Sequence, residues 1–307
     1  MSTDALPAML ADIAEEIVAD AAAIEAAADA KEEGLAPGPF GIAVTTRDGE
    51  THRGGAADAP FPLQSIAKVF TLERALAAIG DRLFKRVGRE PSGDPFNSIV
   101  DLERTQGIPR NPFVNAGALV TVDALLDASD PADTPAALVE RECGGACMTL
   151  DPDVLASEEE AGDLNRAMLS FMRHHDNLRC DPDAVMRAYV EQCAITLDAA
   201  GLARTGLFLS RTRLEGDEAA RTLARRRRKL LALMMTCGHY DGSGDFALRV
   251  GLPAKSGVGG GILAIMPDVA SIAVWSPNLD QHGNSILGVR ALEMLAHRTG
   301  WSVFGPA

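Results

Sequence analysis

The sequence predicts an α/β (α+β) fold: an antiparallel sheet built from both ends of the chain, flanked by helices, with an all-helical block inserted between. Three observations predict it. Strand-like runs with turn signals occur only near residues 40–54 and 261–275. From residue 65 to about 237 the periodic segments are helical. The chain has 307 residues, enough for one large or two intertwined domains with a substantial core.

The elements follow in order. Residues 1–34 are Ala- and Glu-rich and read as one or two helices. Residues 40–46 form a strand, Asp48-Gly49 a turn, and 50–54 a returning strand. Ser65 opens a helix in which Val69, Leu72, Leu76 and Ile79 recur at helical spacing. Further helices are expected over 116–126, 162–174, 183–193, 198–208 and 219–237, with loops rich in Pro, Gly and Asp between them. Strands return at 261–266 and 271–275 around the turn Pro267-Asp268, and 285–297 closes the chain as a helix. This divides it into a sheet domain, 1–69 with 238–307, and a helical domain, 70–237, with a cleft between them.

Composition narrows the function classes. The net charge of −14 opposes a nucleic-acid partner, because phosphate binding needs a basic face. The one basic block, 225–229, reads as a solvated helix face or a salt-bridge strip, with a regulatory anion site as the alternative. No apolar run reaches the length of a membrane span, and the acidic start does not resemble a secretory signal. Five cysteines, an odd number without framework spacing, read as reduced thiols in a cytoplasm. Cys143 and Cys147 lack a second ligand pair, and His174-His175-Asp176 lacks any ligand set, so no metal site is expected.

Two motifs carry chemistry. In Ser65-Ile-Ala-Lys68 the hydroxyl and the amine share a helix face. Serine needs a base to become a nucleophile, and lysine is a base only when burial or nearby cations lower its pKa. Alone, the pattern is weak and better suits an N-cap serine and a surface lysine. The second motif is Lys255-Ser256-Gly257, continuing through Val258 to Gly261 before a strand. Its lysine adds positive field near Ser65, and its glycines let backbone N–H groups approach a reacting carbonyl. A plain Gly-rich turn remains the alternative. Together the two motifs match the arrangement of penicillin-recognising serine enzymes.

Longer segments then resemble the serine-dependent glutaminases, which share the serine β-lactamase-like fold. They are 61–70 (FPLQSIAKVF), 90–98 (EPSGDPFNS), 109–118 (PRNPFVNAGA), Ser157-Glu158 leading to Asn165-Arg166, 189–193 (YVEQC), 236–241 (TCGHYD) and 251–261 (GLPAKSGVGGG). The resemblance spans about residues 40–290 and implies the roles. Ser65 is the nucleophile, Lys68 takes its proton, and Tyr240 relays protons. The N–H groups of Ser65 and Val258 form an oxyanion hole. Asn115, Glu158, Asn165 and Tyr189 contact the substrate, L-glutamine. It also implies a homodimer or homotetramer and no metal or organic cofactor.

The residue types suit those roles. A carboxylate meets the substrate's α-ammonium, and amides and a phenol meet its α-carboxylate. Read without the resemblance, Asn115 and Asn165 also suit helix ends, Glu158 suits helix-start charge, and Tyr189 suits a core. The chain has two tyrosines, and both fall at these positions. A β-lactam or peptide amide hydrolase, or an inactive amino-acid-binding protein, remains the alternative on the same fold. Two stretches depart from the family. A Tyr-Ile-Pro segment that reaches the active site is replaced at 18–23 by VADAAA, with Ala21 near the missing tyrosine. The usual Asn-Gly-Gly turn is replaced at 208–213 by FLSRTR. The first puts substrate closure in question, the second the subunit interface.

Overall fold

The computed structural model describes residues 5–32, 34–93, 97–128, 132–145, 148–160 and 162–305, without the side chains of 158–160. The chain runs α1 (Leu6–Ala27), β1 (Gly41–Thr46), β2 (Thr51–Gly55), β3 (Phe61–Pro62), a 3-10 turn (Gln64–Ile66) and α2 (Ala67–Ile79). The helical stretch follows: α3 (Val100–Arg104), α4 (Asn115–Ala128), α5 (Pro135–Cys143), β4 (Thr149–Leu150), α6 (Pro152–Glu160), α7 (Asp163–His174), α8 (Pro182–Cys193), β5 (Ile195–Leu197), α9 (Ala199–Ser210) and α10 (Glu218–Cys237). It ends with α11 (Ser243–Arg249), β6 (Ala254–Ser256), β7 (Gly261–Met266), β8 (Ala270–Trp275) and α12 (Ile286–Thr299).

The expected sheet is present. Five antiparallel strands stand in the order β2-β1-β8-β7-β6, so both ends of the chain contribute. Every residue of β1 is buried, because both faces are covered. Ile42, Val44, Ile262, Ile272 and Val274 point into a core shared with α1 and α12. Ala43, Leu263, Ile265 and Ala273 point the other way, into the large core of the helical side. Burial on both faces explains why these strands read as continuous apolar runs rather than alternating ones. Helix α9 lies across β1, β7 and β8. A Cβ on Gly206 would stand 2.5 Å from Ser271 Oγ and 2.6 Å from Leu263, so this glycine permits the close approach.

Helix α2 is the axis of the helical side. Residues 67–73 are all buried, Lys68 and Glu73 included. Arg226 of α10 pairs with Glu73 at 2.8 Å, and Thr71 donates to Gln192 of α8. The basic block is thus largely satisfied within the chain. Arg225 pairs with Glu218 and Lys229 with Asp81, while Arg227 and Arg228 donate to the carbonyls of Arg211 and Thr212. A second small sheet, β3-β5-β4, is absent from the sequence reading, since strands of two or three residues leave no period to detect.

Residues 1–34 hold one long helix among the described residues, within the one or two expected. Two expectations are corrected. Ala21 is 5% exposed and faces the core under the sheet, so its stretch packs α1 rather than closing an active site. The thiols are not all reduced: Cys180, Cys193 and Cys237 are free, but Cys143 is disulfide-bonded. Cys143 ends α5, and Gly144 and Gly145, both at positive φ, reverse the chain there. No described helix is long and apolar enough to cross a membrane.

Candidate active site

The site lies where the start of α2 meets the turn between β6 and β7. Leu63 N–H donates to Ile195 O of the small sheet at 2.7 Å, fixing the chain just before Ser65. Gln64 then takes φ +48°, a conformation that costs a non-glycine residue roughly 1–3 kcal/mol and persists where the surroundings enforce it. Tyr240, on the 3-10 turn after α10, has φ +54°. Left-handed backbone thus occurs at Tyr240 and immediately before Ser65.

Ser65 is 7% exposed and Lys68 1% exposed. They stand three residues apart, across the 3-10 turn and the first turn of α2. Lys68 Nζ donates to Asn115 Oδ1 at 2.7 Å and to Phe113 O at 3.4 Å. Asn115 Oδ1 also accepts from Tyr189 Oη at 3.3 Å, and Asn115 Nδ2 donates to Asn165 Oδ1 at 3.3 Å. One asparagine therefore ties α2, α4, α7 and α8 together around the lysine. Tyr189 serves both readings, being 3% exposed in the large core while its hydroxyl reaches the network.

Asn111 is a residue the sequence reading passed over. Its Oδ1 accepts from the N–H groups of Phe113 and Val114, and its Nδ2 donates to Glu90 O at 2.9 Å. This side-chain turn sets the Phe113 carbonyl and Asn115 in place. The signal was present in the Arg-Asn-Pro sequence, where an asparagine before proline favours a turn.

The opposite wall comes from the sheet. A Cβ on Gly257 would lie 2.5 Å from Leu63 O and 3.4 Å from Ser65 N, and one on Gly259 would lie 2.3 Å from Pro62 O. Only glycine allows this turn to press against the backbone that carries Ser65. Trp275 holds the turn from behind, donating to Gly259 O at 2.9 Å and stacking on Phe61. Val258 sits half-buried between these two glycines.

Lys255 lies beneath, fully buried, its Nζ donating to Gly238 O at 3.0 Å and Ser256 O at 2.6 Å. Its Nζ stands 4.2 Å from the Tyr240 ring centroid, a favourable position for a cation. Burial, and then the charge of Lys68, hold its pKa well below the ordinary 10.5. Burial also pushes the Tyr240 phenol up to about 12, although a hydrogen bond with Ser65 opposes the rise. Tyr240 is thus a neutral phenol at pH 7, with Ser65 close enough to influence it. His239 stacks on Phe246 at 3.7 Å, and burial followed by the charge of Lys255 lowers its pKa to about 3.

The structure thus assembles Ser65, Lys68, Asn115, Asn165, Tyr189 and Tyr240, with the Val258 turn against Ser65. Glu158 falls in the last turn of α6, and its side chain lies outside what is described. His174 is exposed and Asp176 is exposed. No group of three or more potential metal ligands occurs among the described residues. The arrangement offers a nucleophile, a buried amine and a phenol in one cluster, which suits acyl transfer at an amide.

Comparison with known proteins gives a consistent result. The family model described as Glutaminase matches residues 30–304. A glutaminase of Azorhizobium caulinodans is 54% identical over 269 residues, covering 86% of this chain and 87% of that protein. One of Rhizobium rhizogenes is 50% identical over 273 residues, 88% of each. Among solved structures, the probable glutaminase ybaS superposes with a TM-score of 0.81 at 32% identity, covering 99% of both chains. Mglu in its glutamate form superposes with a TM-score of 0.82 at 31% identity, over 97% of this chain and 69% of that one.

Proposed function

Because the chain belongs to the glutaminase family, we propose that it hydrolyses L-glutamine to L-glutamate and ammonia through an acyl-enzyme on Ser65. The observation that carries the reading is the cluster itself: Tyr240 beside Ser65, and Lys68 buried one turn away and held by Asn115. That a similar chain, Mglu, has a glutamate form supports the substrate class.

In the first step Lys68, as general base, takes the Ser65 proton as Oγ attacks the side-chain amide. The N–H groups of Ser65 and Val258 receive the developing oxyanion. Tyr240, neutral and next to Ser65, passes a proton to the departing ammonia. Water then attacks the γ-glutamyl ester by the reverse route, and Ser65 recovers its proton. Asn115, Asn165 and Tyr189 supply donors for the substrate's α-carboxylate, and Glu158 a partner for its α-ammonium. The chemistry needs no metal or organic cofactor. The same reading divides the chain into 1–69 with 238–307 and 70–237, the site between them. It makes the protein a homo-oligomer without nucleic-acid or membrane partners. A cytoplasmic location rests on the three free thiols, with the Cys143 bridge standing against it.

Ser65→Ala tests the reading. Ammonia release should fall by at least about a thousandfold, while glutamate binding by calorimetry stays within a few-fold. Activity within tenfold of the parent would remove Ser65 from the chemistry.

A further inference from the structure

The proposed chemistry leaves one buried titratable side chain beside the site without a task. His239 precedes Tyr240 and is 2% exposed. Its ring lies flat against Phe246 of α11, the planes 13° apart. Neither ring nitrogen has a hydrogen-bond partner among the described residues. Buried polar groups are seldom left so, because an unmade hydrogen bond is costly there. Burial keeps the imidazole neutral, so it carries one N–H donor.

Asn284 offers the matching acceptor. It is 3% exposed, and its Oδ1 is likewise buried without a partner among the described residues. Its Nδ2 donates to Asp280 Oδ2 at 3.5 Å, which leaves Oδ1 for another donor. The two side chains are neighbours. Asn284 is close enough to influence the imidazole. A Cβ on Gly242 would lie 3.4 Å from Asn284 Nδ2, and the Gly242 N–H donates to His239 O at 3.0 Å.

Asn284 belongs to a loop that touches two parts of the site. Asp280 holds this loop: its Oδ1 accepts from the N–H groups of His282 and Asn284, each at 2.9 Å. Its carbonyl accepts from Gly283 N–H at 2.9 Å. A Cβ on Gly283 would be 3.5 Å from the Val258 side chain and 4.0 Å from the Tyr240 ring. The loop therefore lies against the phenol and against the turn that carries Val258. Tyr240, at φ +54°, has a backbone that its surroundings must enforce. Ser243 Oγ does part of this, accepting from His239 N–H at 3.0 Å and donating to Tyr240 O at 2.7 Å. Those bonds fix the Tyr240 turn on itself, not to the loop.

We propose that His239 is a positioning residue: its imidazole N–H donates to Asn284 Oδ1 and ties the Tyr240 turn to the loop behind Val258. The phenol is thereby held in register with the oxyanion turn. The inference rests on the reading of Tyr240 as the proton relay.

His239→Phe keeps a flat ring on Phe246 and removes the donor. Its kcat should fall about tenfold, the value of one hydrogen bond, with KM within about twofold. Asn284→Ala removes the acceptor and should do the same, and the two together should cost no more than either alone. His239→Asn and His239→Gln place an amide N–H near Nδ1 and Nε2 respectively, and one of them should recover most of the loss. Because His239 acts through Tyr240, His239→Phe should change kcat by less than about twofold in a Tyr240→Phe background. Steady-state ammonia release and melting temperature are measured on each variant. A packing role predicts the same loss in both backgrounds and no recovery by either amide. Either result, or an unchanged kcat in both single variants, overturns the inference. Should His239→Phe not fold, Asn284→Ala carries the same comparison in the two backgrounds. A Tyr240→Phe enzyme with the parental kcat overturns the relay reading instead, so the two failures are distinguishable.

Discussion

The helical side and the sheet side each place one buried lysine in the candidate site, and the two are held very differently. Lys68 is aimed by a side chain, Asn115 Oδ1, which is itself tied to α7 and α8. Lys255 is fixed only by two backbone carbonyls, with a phenol ring above it. A side-chain acceptor in a hydrogen-bonded network can adjust as the amine gains and loses a proton. Carbonyls of a strand and a helix end cannot, so they suit an amine that stays in place and acts through its field. On the proposed reading the same functional group is a proton carrier on one wall and a fixed support on the other, and their hydrogen-bond partners differ accordingly.

The largest expected effect tests the mobile half of that contrast. Lys68→Met should lower kcat by about a thousandfold or more, with KM changed only a few-fold. Steady-state ammonia release decides it. A change confined to KM would make Lys68 a substrate ligand and erase the distinction from Lys255.

Tyr240→Phe comes next. The phenol, raised to about 12, is neutral at pH 7, which suits the proposed relay rather than a resting base. Its loss should lower kcat by roughly a hundredfold. The Phe variant keeps the ring over Lys255, so its melting temperature should stay close to that of the parent. A large loss of stability with little loss of kcat would mean that the phenol is structural.

Much of this arrangement was legible in the sequence. The two ends of the sheet announced themselves through β-rich runs and turn signals, and long helices through their period. Ser65, Lys68 and the Lys255 turn stood in motifs whose spacing has a mechanical meaning. What escaped was set by tertiary closure. β6 has three residues and is a strand only because β7 pairs with it. Asn111 acts through the N–H groups of Phe113 and Val114 and a carbonyl distant in sequence, that of Glu90. Ala21 was aligned to the site by position, yet α1 continues to Ala27 and turns it into the core. The Cys143 bridge left no framework spacing to read.

Lys255→Met tests the fixed half. The folded-state pKa of Lys255 lies below the ordinary 10.5, so between those values the unfolded chain binds a proton that the folded chain does not. This contribution is fully present above pH 10.5 and is lost as pH falls through the window toward the folded value. The parent should therefore gain stability relative to Lys255→Met as pH rises toward 10.5, by up to about 1.4 kcal/mol per pH unit. Near pH 7 the Met variant should be as stable as the parent or more so, since an amine is no longer desolvated. Urea titrations at pH 7, 8.5 and 10 measure the difference. Parallel curves would mean that Lys255 stays charged in the fold and that its burial is relieved by the Tyr240 ring.

The smallest effect concerns salt, and it separates buried charge from the surface. The chain carries 43 acidic and 29 basic residues, for a net charge of −14. Molar NaCl shortens the screening length to about 3 Å, which weakens this self-repulsion. It also weakens exposed pairs such as Arg225–Glu218, whose side chains are 53% and 71% exposed. Such pairs contribute about 0–1 kcal/mol each, so their loss is small against the relief of fourteen excess charges. The buried pair Arg226–Glu73 and both lysines are shielded from bulk ions, so the catalytic cluster should feel little change. The expected outcome is a melting temperature that holds or rises by a few degrees between 0.1 and 2 M NaCl, with kcat within about twofold. A steady fall in melting temperature would mean that the surface pairs outweigh the repulsion. A fall in kcat alone would mean that salt reaches the lysines, and that the cleft is wetter than their burial indicates.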